Sequence, residues 1–142
     1  MKTANQEIRS NFKTLKIIHL ALCAGVLMAY IFAGDLLRKL SNIAMGAEQF
    51  TYAVIPIAAG VLSHFMYKKL LENIDPGQST AEKLALYQRA NLVRWAILEA
   101  AAFIFLMVLP DYLFLGVPII LYMASLMPNE EKYNAEISKG TL

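Results

Sequence analysis

Four long apolar runs constrain this chain more than any other feature of its sequence. They cover residues 17–33, 50–67, 92–110 and 112–127. A helix needs about 20 apolar residues to cross a hydrocarbon core about 30 Å thick, so each run is close to that length and the fourth is the shortest. We therefore predict one membrane domain over residues 1–142, with transmembrane helices at about 14–34, 50–70, 90–110 and 112–127.

The composition agrees with a bilayer environment. Apolar residues make up 58% of the chain, which exceeds the share in ordinary soluble domains. The formal net charge of +2 is too small to indicate a nucleic-acid partner, so membrane lipids are the expected surroundings. The first run is longer than the hydrophobic region of a signal peptide and no A-x-A site follows it, so we interpret it as a retained helix.

Lysine and arginine are distributed unequally between the two sides of the predicted membrane. The N-terminal segment, the connection between the second and third helices and the C-terminal tail hold eleven of the thirteen, whereas the opposite side holds Arg38 and Lys39. Cytoplasmic segments are enriched in these residues. The predicted fold is therefore an all-α, antiparallel four-transmembrane-helix bundle with both termini in the cytoplasm.

Local signals predict shorter elements outside the spans. Residues 79–82 read S-T-A-E, the spacing of a capping box, so a helix should begin near Thr80 and lead into the third span. The segment from Asn129 to Lys132 is expected to be a solvated charged stretch, helical or disordered, without a structural role. A short helix at the outer interface is predicted from an apolar face formed by Leu36, Leu37, Leu40, Ile43 and Ala44.

Small residues recur at intervals of four in the first two spans. Such spacing lets helix backbones approach closely in a membrane. We therefore expect helices one and two to pack against each other. The residues concerned are Ala21, Gly25 and Ala29 in the first span and Pro56, Gly60 and His64 in the second.

Four ionisable residues fall inside the apolar runs, in the predicted cytoplasmic leaflet: His19, His64, Arg94 and Glu99. Burying such groups in hydrocarbon costs a few kcal/mol each, so they are expected to pair or to face a wet cavity, and a functional role is the default hypothesis. The alternatives are that Arg94 extends to the lipid headgroups and that each histidine is interfacial or bonds a backbone carbonyl.

Glu99 is the deepest of these residues and the least able to reach the headgroups. Asn91, Trp95 and Glu99 recur at i, i+4 and i+8, so they share one helix face. Arg94 lies about 140° from Glu99 around the axis, which argues against a direct pair. We therefore expect either that Glu99 meets one of the two histidines or that its protonated form persists.

The segment YQRANLVRWAILEAAAF at 87–103, with FIFLMVLP, PDYLFLG and SLMPNEEK after it, resembles small uncharacterised four-helix integral membrane proteins of Bacteroidota-type bacteria. Tyr87, Arg94 and Glu99 match residues that recur around the third helix of that family. The resemblance implies the same architecture in a bacterial inner membrane. The candidate ligand- or ion-binding residues are Glu99, His19, His64, Arg94, Asn91 and Tyr87.

Three functions remain open. The chain has no HExxH, P-loop, GxGxxG or serine-elbow motif, so it is not expected to be an enzyme. The first function is a polar site in the cytoplasmic leaflet for binding or passage of an ion, a proton or a small solute. The second is a non-catalytic accessory or scaffolding subunit of a larger membrane complex. The third is a b-type haem protein with His19 and His64 as axial ligands.

Partners and cofactors follow from the same features. One four-helix bundle is too thin to enclose a pore, so we expect a homo-oligomer or other membrane protein subunits as partners. Cys23 is the only cysteine, which excludes an internal disulfide and a cysteine-based metal site. No cofactor or metal is predicted for the first two functions.

Overall fold

Every regular element of the described chain is a helix. The computed structural model describes residues 2–42 and 46–139, with side chains for 8–42 and 46–137. These ranges contain no strand, which confirms the predicted all-α class. The elements are α1 (Lys2–Phe32), α2 (Leu36–Ser41), α3 (Ala47–Tyr52), α4 (Val54–Leu71), α5 (Thr80–Met107), a 3₁₀ helix (Pro110–Gly116), α6 (Val117–Ser125) and α7 (Glu130–Lys139).

Three helical stretches are long and apolar enough to cross a membrane: Ile8–Phe32, Ala47–Leu71 and Thr80–Met107. A fourth qualifies if Pro110–Ser125 and Glu130–Ile137, which are bent by 79°, count as one span. Seven residues of Pro110–Ser125 are 3₁₀-helical and nine are α-helical. A 3₁₀ helix rises about 2.0 Å per residue and an α-helix about 1.5 Å, so this segment extends at most roughly 27 Å, and a kink with non-helical backbone at Tyr112 shortens it.

The outer faces of these helices are apolar. Ile57 and Val61 of α4 are 66% and 65% exposed, and Met107 of α5 and Leu121 of α6 are 78% and 67% exposed. Soluble monomers rarely carry so extensive an exposed apolar surface. This surface is suited to lipid, in agreement with the three or four candidate spans.

The helix α5 is the centre of the packing. It contacts α1, α4 and α6, and α6 in turn contacts α1 and α4. The prediction that the first two spans pack closely is wrong, because α5 and α6 lie between α1 and α4. Accordingly, a Cβ atom added at Gly25 or at Gly60 would meet nothing within 4 Å.

Close approach instead occurs at Gly116. The Tyr30 side chain of α1 is fully buried, and its hydroxyl donates a hydrogen bond of 2.5 Å to the carbonyl oxygen of Ala102 in α5. A Cβ atom at Gly116 would overlap that hydroxyl. The glycine is required here because the tyrosine occupies the space of a side chain.

The predicted start of α5 is confirmed. The backbone N–H of Glu82 donates to the Ser79 hydroxyl at 3.3 Å, and the Ser79 backbone N–H donates to the Glu82 carboxylate at 2.8 Å. These hydrogen bonds from Ser79 lower the pKa of the Glu82 carboxyl. The short outer helix is present as Leu36–Ser41, while its proposed extension to Ile43 and Ala44 lies outside the described residues.

The last helix docks against the starts of α1 and α5. The segment from Asn129 to Lys132 forms the beginning of α7, where most side chains remain exposed. The same helix carries Tyr133, only 5% exposed, into a ring cluster with Phe12 at 5.4 Å and Tyr87 at 5.1 Å between centroids. This docking was not predicted, and it gives the segment after Pro128 a structural role.

Candidate functional site

Arg94 is the most distinctive polar residue of the helical core. Its Nη2 atom donates a hydrogen bond of 2.7 Å to the hydroxyl oxygen of Tyr122 in α6. Its guanidinium carbon lies 4.8 Å from the centroid of the Tyr67 ring in α4 and 5.6 Å from that of Tyr122, within the range of cation–π attraction. We call these three residues the Arg94 group.

The Arg94 group holds a cation without a matching anion. Among the described residues no carboxylate forms an ion pair with Arg94, and its Nε atom is buried without a hydrogen-bond partner. The rings of Tyr67 and Tyr122 and the Tyr122 hydroxyl hold the side chain in place. Within the described residues its charge therefore has no carboxylate partner.

Tyr87 links the Arg94 group to the ring cluster at the start of α5. The rings of Tyr67 and Tyr87 lie 6.5 Å apart between centroids, in an edge-to-face arrangement. The Tyr87 ring is buried and lies 5.9 Å from the Phe12 ring. Tyr87 thus belongs to the packing that supports Tyr67, the ring over which the Arg94 guanidinium lies.

Asn91 is buried and satisfied within its own helix. Its side-chain amide donates a hydrogen bond of 2.9 Å to the carbonyl oxygen of Tyr87, one turn earlier. Such a bond to residue i−4 is a local solution for a polar side chain in a helix. Asn91 does not contact Glu99 or Arg94 through a hydrogen bond in the described chain.

His19 is buried in the contact of α1 with α5 and α6. Its Nε2 atom lies 2.9 Å from the carbonyl oxygen of Met123, and because a carbonyl only accepts, Nε2 must carry the proton. The imidazole packs on the Trp95 ring at 4.6 Å between centroids. Neither His19 Nδ1 nor Trp95 Nε1 has a hydrogen-bond partner among the described residues.

Glu99 is half-buried on α5. Within the described residues Glu99 makes no hydrogen bond to either histidine, so the expected direct contact is not observed. The near polar neighbour of His19 is instead Cys23, one turn later in α1, whose sulfur atom lies 3.7 Å from His19 Nε2.

The structure does not bring the two histidines together. His64 is exposed on α4, whereas His19 is 1% exposed on α1, and these helices lie on different sides of α5 and α6. Axial ligation of one haem would need both imidazoles at a common site. In the part of the chain that the structure describes, no group of three or more His, Cys, Asp or Glu side chains is arranged to hold a metal ion.

The structure therefore does not gather the candidate residues at one site. Arg94 contacts α4 and α6 through Tyr67 and Tyr122. His19 lies between α1 and α6, whereas His64 is exposed on α4. Sequence reasoning missed Tyr67 and Tyr122, the two partners of Arg94. The available signal was the presence of a tyrosine in the second and in the fourth apolar run, because a buried phenol requires a hydrogen-bond partner.

An apolar groove lies between α4, α5 and α6, and Tyr122 of the Arg94 group is part of its wall. Its volume is about 500 Å³, within the range of small-molecule sites. Its wall includes Pro56, Gly60, Leu98, Pro118 and Ile119, and Tyr122 lies at its polar end.

Comparison of the chain with protein-family models, with curated proteins and with solved structures gives no match.

Proposed function

We propose that this chain is a multi-pass protein of a bacterial inner membrane that binds a small anionic solute at the Arg94 group in the cytoplasmic leaflet. The proposal includes an antiparallel bundle of four transmembrane helices with both termini in the cytoplasm. The observation that carries it is Arg94, stacked on two tyrosine rings with no carboxylate paired to it in the described chain.

Charge distribution and packing support this placement in the membrane. Eleven of the thirteen lysines and arginines fall on the side assigned to the cytoplasm. Phe12, Tyr87 and Tyr133 meet in one cluster, which joins the start of α1, the start of α5 and α7 at that end. Arg94 follows Tyr87 by seven residues, about 10 Å along the helix, which corresponds to the headgroup side of the hydrocarbon.

The chemistry of the Arg94 group favours an anion. A guanidinium presents planar donors that match carboxylate or phosphate oxygens. One of those donors already bonds Tyr122, whose hydroxyl can reorient when a stronger acceptor arrives. Binding would relieve the unpaired charge, which is costly inside a membrane.

Anion titration of the purified protein tests this function. In a neutral detergent, inorganic phosphate and acetate should raise the thermal midpoint of the wild type, because a ligand that binds only the folded state stabilises it. Arg94→Gln should lose this shift. Arg89→Gln, on an exposed position of the same helix, is the matched control and should keep it. Equal shifts in the two variants would overturn the proposal.

A role as an accessory subunit is the second candidate. Ala21 and Gly25 of α1 are exposed, and their small size would allow another helix to approach. This face is available to a second copy or to another membrane protein. Co-purification from native membranes in mild detergent tests it, and a stoichiometric large partner would favour it over solute binding.

A haem function has less support. His19 bonds Met123 and His64 is exposed on another helix, so a paired axial site would need helices to rearrange. A visible absorbance spectrum of the purified protein tests this third candidate directly.

A further inference from the structure

The apolar groove and the Arg94 group are consecutive along the same helices. Leu98 lines the groove and lies one turn after Arg94 in α5, and Pro118 lies one turn before Tyr122 in α6. On α4 the groove extends from Ala53 to Val61, about 12 Å at 1.5 Å per residue. A ligand that fills the groove lengthwise therefore ends at Tyr122, whose hydroxyl accepts the hydrogen bond from Arg94.

The groove is open sideways, toward the surface that we assign to lipid. Its wall is almost wholly apolar, and the adjoining Ile57 and Val61 are among the exposed apolar residues of α4. A molecule can therefore enter from the bilayer without passing through water. This geometry suits an acyl chain better than a polar solute.

Charge near the polar end is positive. Three basic residues lie at this end of α4 and α5: Arg94 and the exposed Lys68 and Lys69. The acidic residues there are Glu72 and Glu136. Glu136 of α7 acts electrostatically on Tyr67 but makes no ion pair with Arg94. One cation therefore remains unpaired where the groove ends.

We propose that the groove binds one anionic phospholipid of the cytoplasmic leaflet, with an acyl chain along α4 and α6 and its phosphate at Arg94. This inference rests on the proposed anion site and names its ligand class. A lipid with an apolar chain and an anionic head matches the groove and its cation together. A second copy of the chain would match the apolar wall but would leave Arg94 unpaired.

The test uses full-length protein in a neutral detergent with phosphatidylglycerol or phosphatidylcholine of identical acyl chains. Thermal midpoints give the half-saturating lipid concentration, and native mass spectrometry counts bound lipids. Gly60→Leu places a side chain in the groove at a position where a Cβ atom meets nothing within 4 Å. Gly25→Leu is its matched control, because Gly25 is an exposed helical glycine on α1 with the same free space.

We expect one phosphatidylglycerol per protomer and weaker binding of phosphatidylcholine. Arg94→Gln should raise the half-saturating concentration about tenfold or more, the size expected for a lost charge-assisted contact. Gly60→Leu should also raise it, because the leucine side chain occupies space that the acyl chain would fill. Gly25→Leu should bind as the wild type does. If Arg94→Gln does not fold, the comparison of Gly60→Leu with Gly25→Leu decides alone.

Three results would overturn the inference. They are equal binding of the two lipids, unchanged binding by Gly60→Leu, and a change of oligomeric state in Gly60→Leu with no change in bound lipid. The third would assign the groove to a second copy. If phosphate still raises the thermal midpoint of the wild type but not that of Arg94→Gln, the anion site stands and only its lipid ligand is wrong. If phosphate raises the midpoint of both proteins equally, the proposed function itself fails.

Discussion

Glu99 carries its carboxylate into the proposed span without a hydrogen bond or ion pair from the described residues. Replacing it with Gln removes the charge and retains the shape. We therefore expect Glu99→Gln to unfold in detergent at the wild-type temperature or above it, because an ionisable group has left the hydrocarbon. Thermal unfolding measures this.

Glu99→Ala separates the charge of Glu99 from its packing. It should lower the midpoint slightly, because it also removes the contacts of a half-buried side chain. A marked loss of stability in Glu99→Gln would reveal a partner and contradict this prediction. A stable Glu99→Gln that abolishes the cellular phenotype would assign the function to the charge.

The two histidines are predicted to behave differently. His19→Ala removes a buried ring and leaves the Met123 carbonyl without its donor, so it should cost about 2–4 kcal/mol of unfolding free energy. His64→Ala changes an exposed residue and should stay within about 0.5 kcal/mol of the wild type. Equal losses in denaturant titrations would show that His64 is also part of the core.

For single residues, the sequence predicts depth in the proposed span better than it predicts hydrogen-bond partners. The position of His19 or Arg94 within an apolar run predicts its depth in the span, because depth depends only on counting along a helix. It does not predict burial, since His64 lies in such a run and is exposed. The partners depend on which helices meet. The Met123 carbonyl and the Tyr122 hydroxyl lie over a hundred and nearly thirty residues away, respectively, and no local pattern identifies them.

Gly116 tests the contact between α1 and the 3₁₀ helix. Gly116→Ala places a methyl group against the Tyr30 hydroxyl, so Tyr30 must move and its bond to Ala102 is strained. We expect a loss of about 1–3 kcal/mol, as in overpacked cores. Gly25→Ala has open space and should be neutral or stabilising by up to about 1 kcal/mol through helix propensity. Chemical unfolding in detergent compares them, and equal effects would disprove the contact.

Tyr133 tests whether α7 is docked. Tyr133→Ala removes a nearly buried ring from its contacts with Phe12 and Tyr87 and should cost about 2–4 kcal/mol. Backbone amides of α7 should then exchange hydrogen faster. Asn134→Ala, at the neighbouring exposed position, should leave both stability and exchange unchanged. Unchanged exchange in Tyr133→Ala would contradict the docking.

Elements specified by local chemistry could be predicted, and their mutual packing could not. Ser79 and Glu82 satisfy each other's backbone groups, so the start of α5 follows from four residues. The small residues around Gly25 allow a close approach but do not choose a partner. Close packing occurs instead at Gly116, where the Tyr30 side chain of α1 occupies the space that a side chain at this position would need.

Topology is the prediction for the whole molecule. Reporter fusions at residue 74 and at the C-terminus should both indicate cytoplasm, and a fusion near residue 42 should indicate periplasm, because lysine and arginine concentrate on the first side. Opposite locations for residue 74 and the C-terminus would mean that the Pro110–Ser125 segment does not cross.

The central position of α5 has a consequence for how the protein is made. During synthesis α1 and α4 enter the bilayer first, yet they do not pack on each other. Each remains in the lipid as an isolated helix until α5 and then α6 leave the ribosome. These two helices supply the surfaces on which α1 and α4 pack. Assembly of the tertiary structure is therefore postponed to the last third of translation, and a nascent chain that stalls before α5 would hold two inserted but unassociated helices open to membrane quality-control proteases.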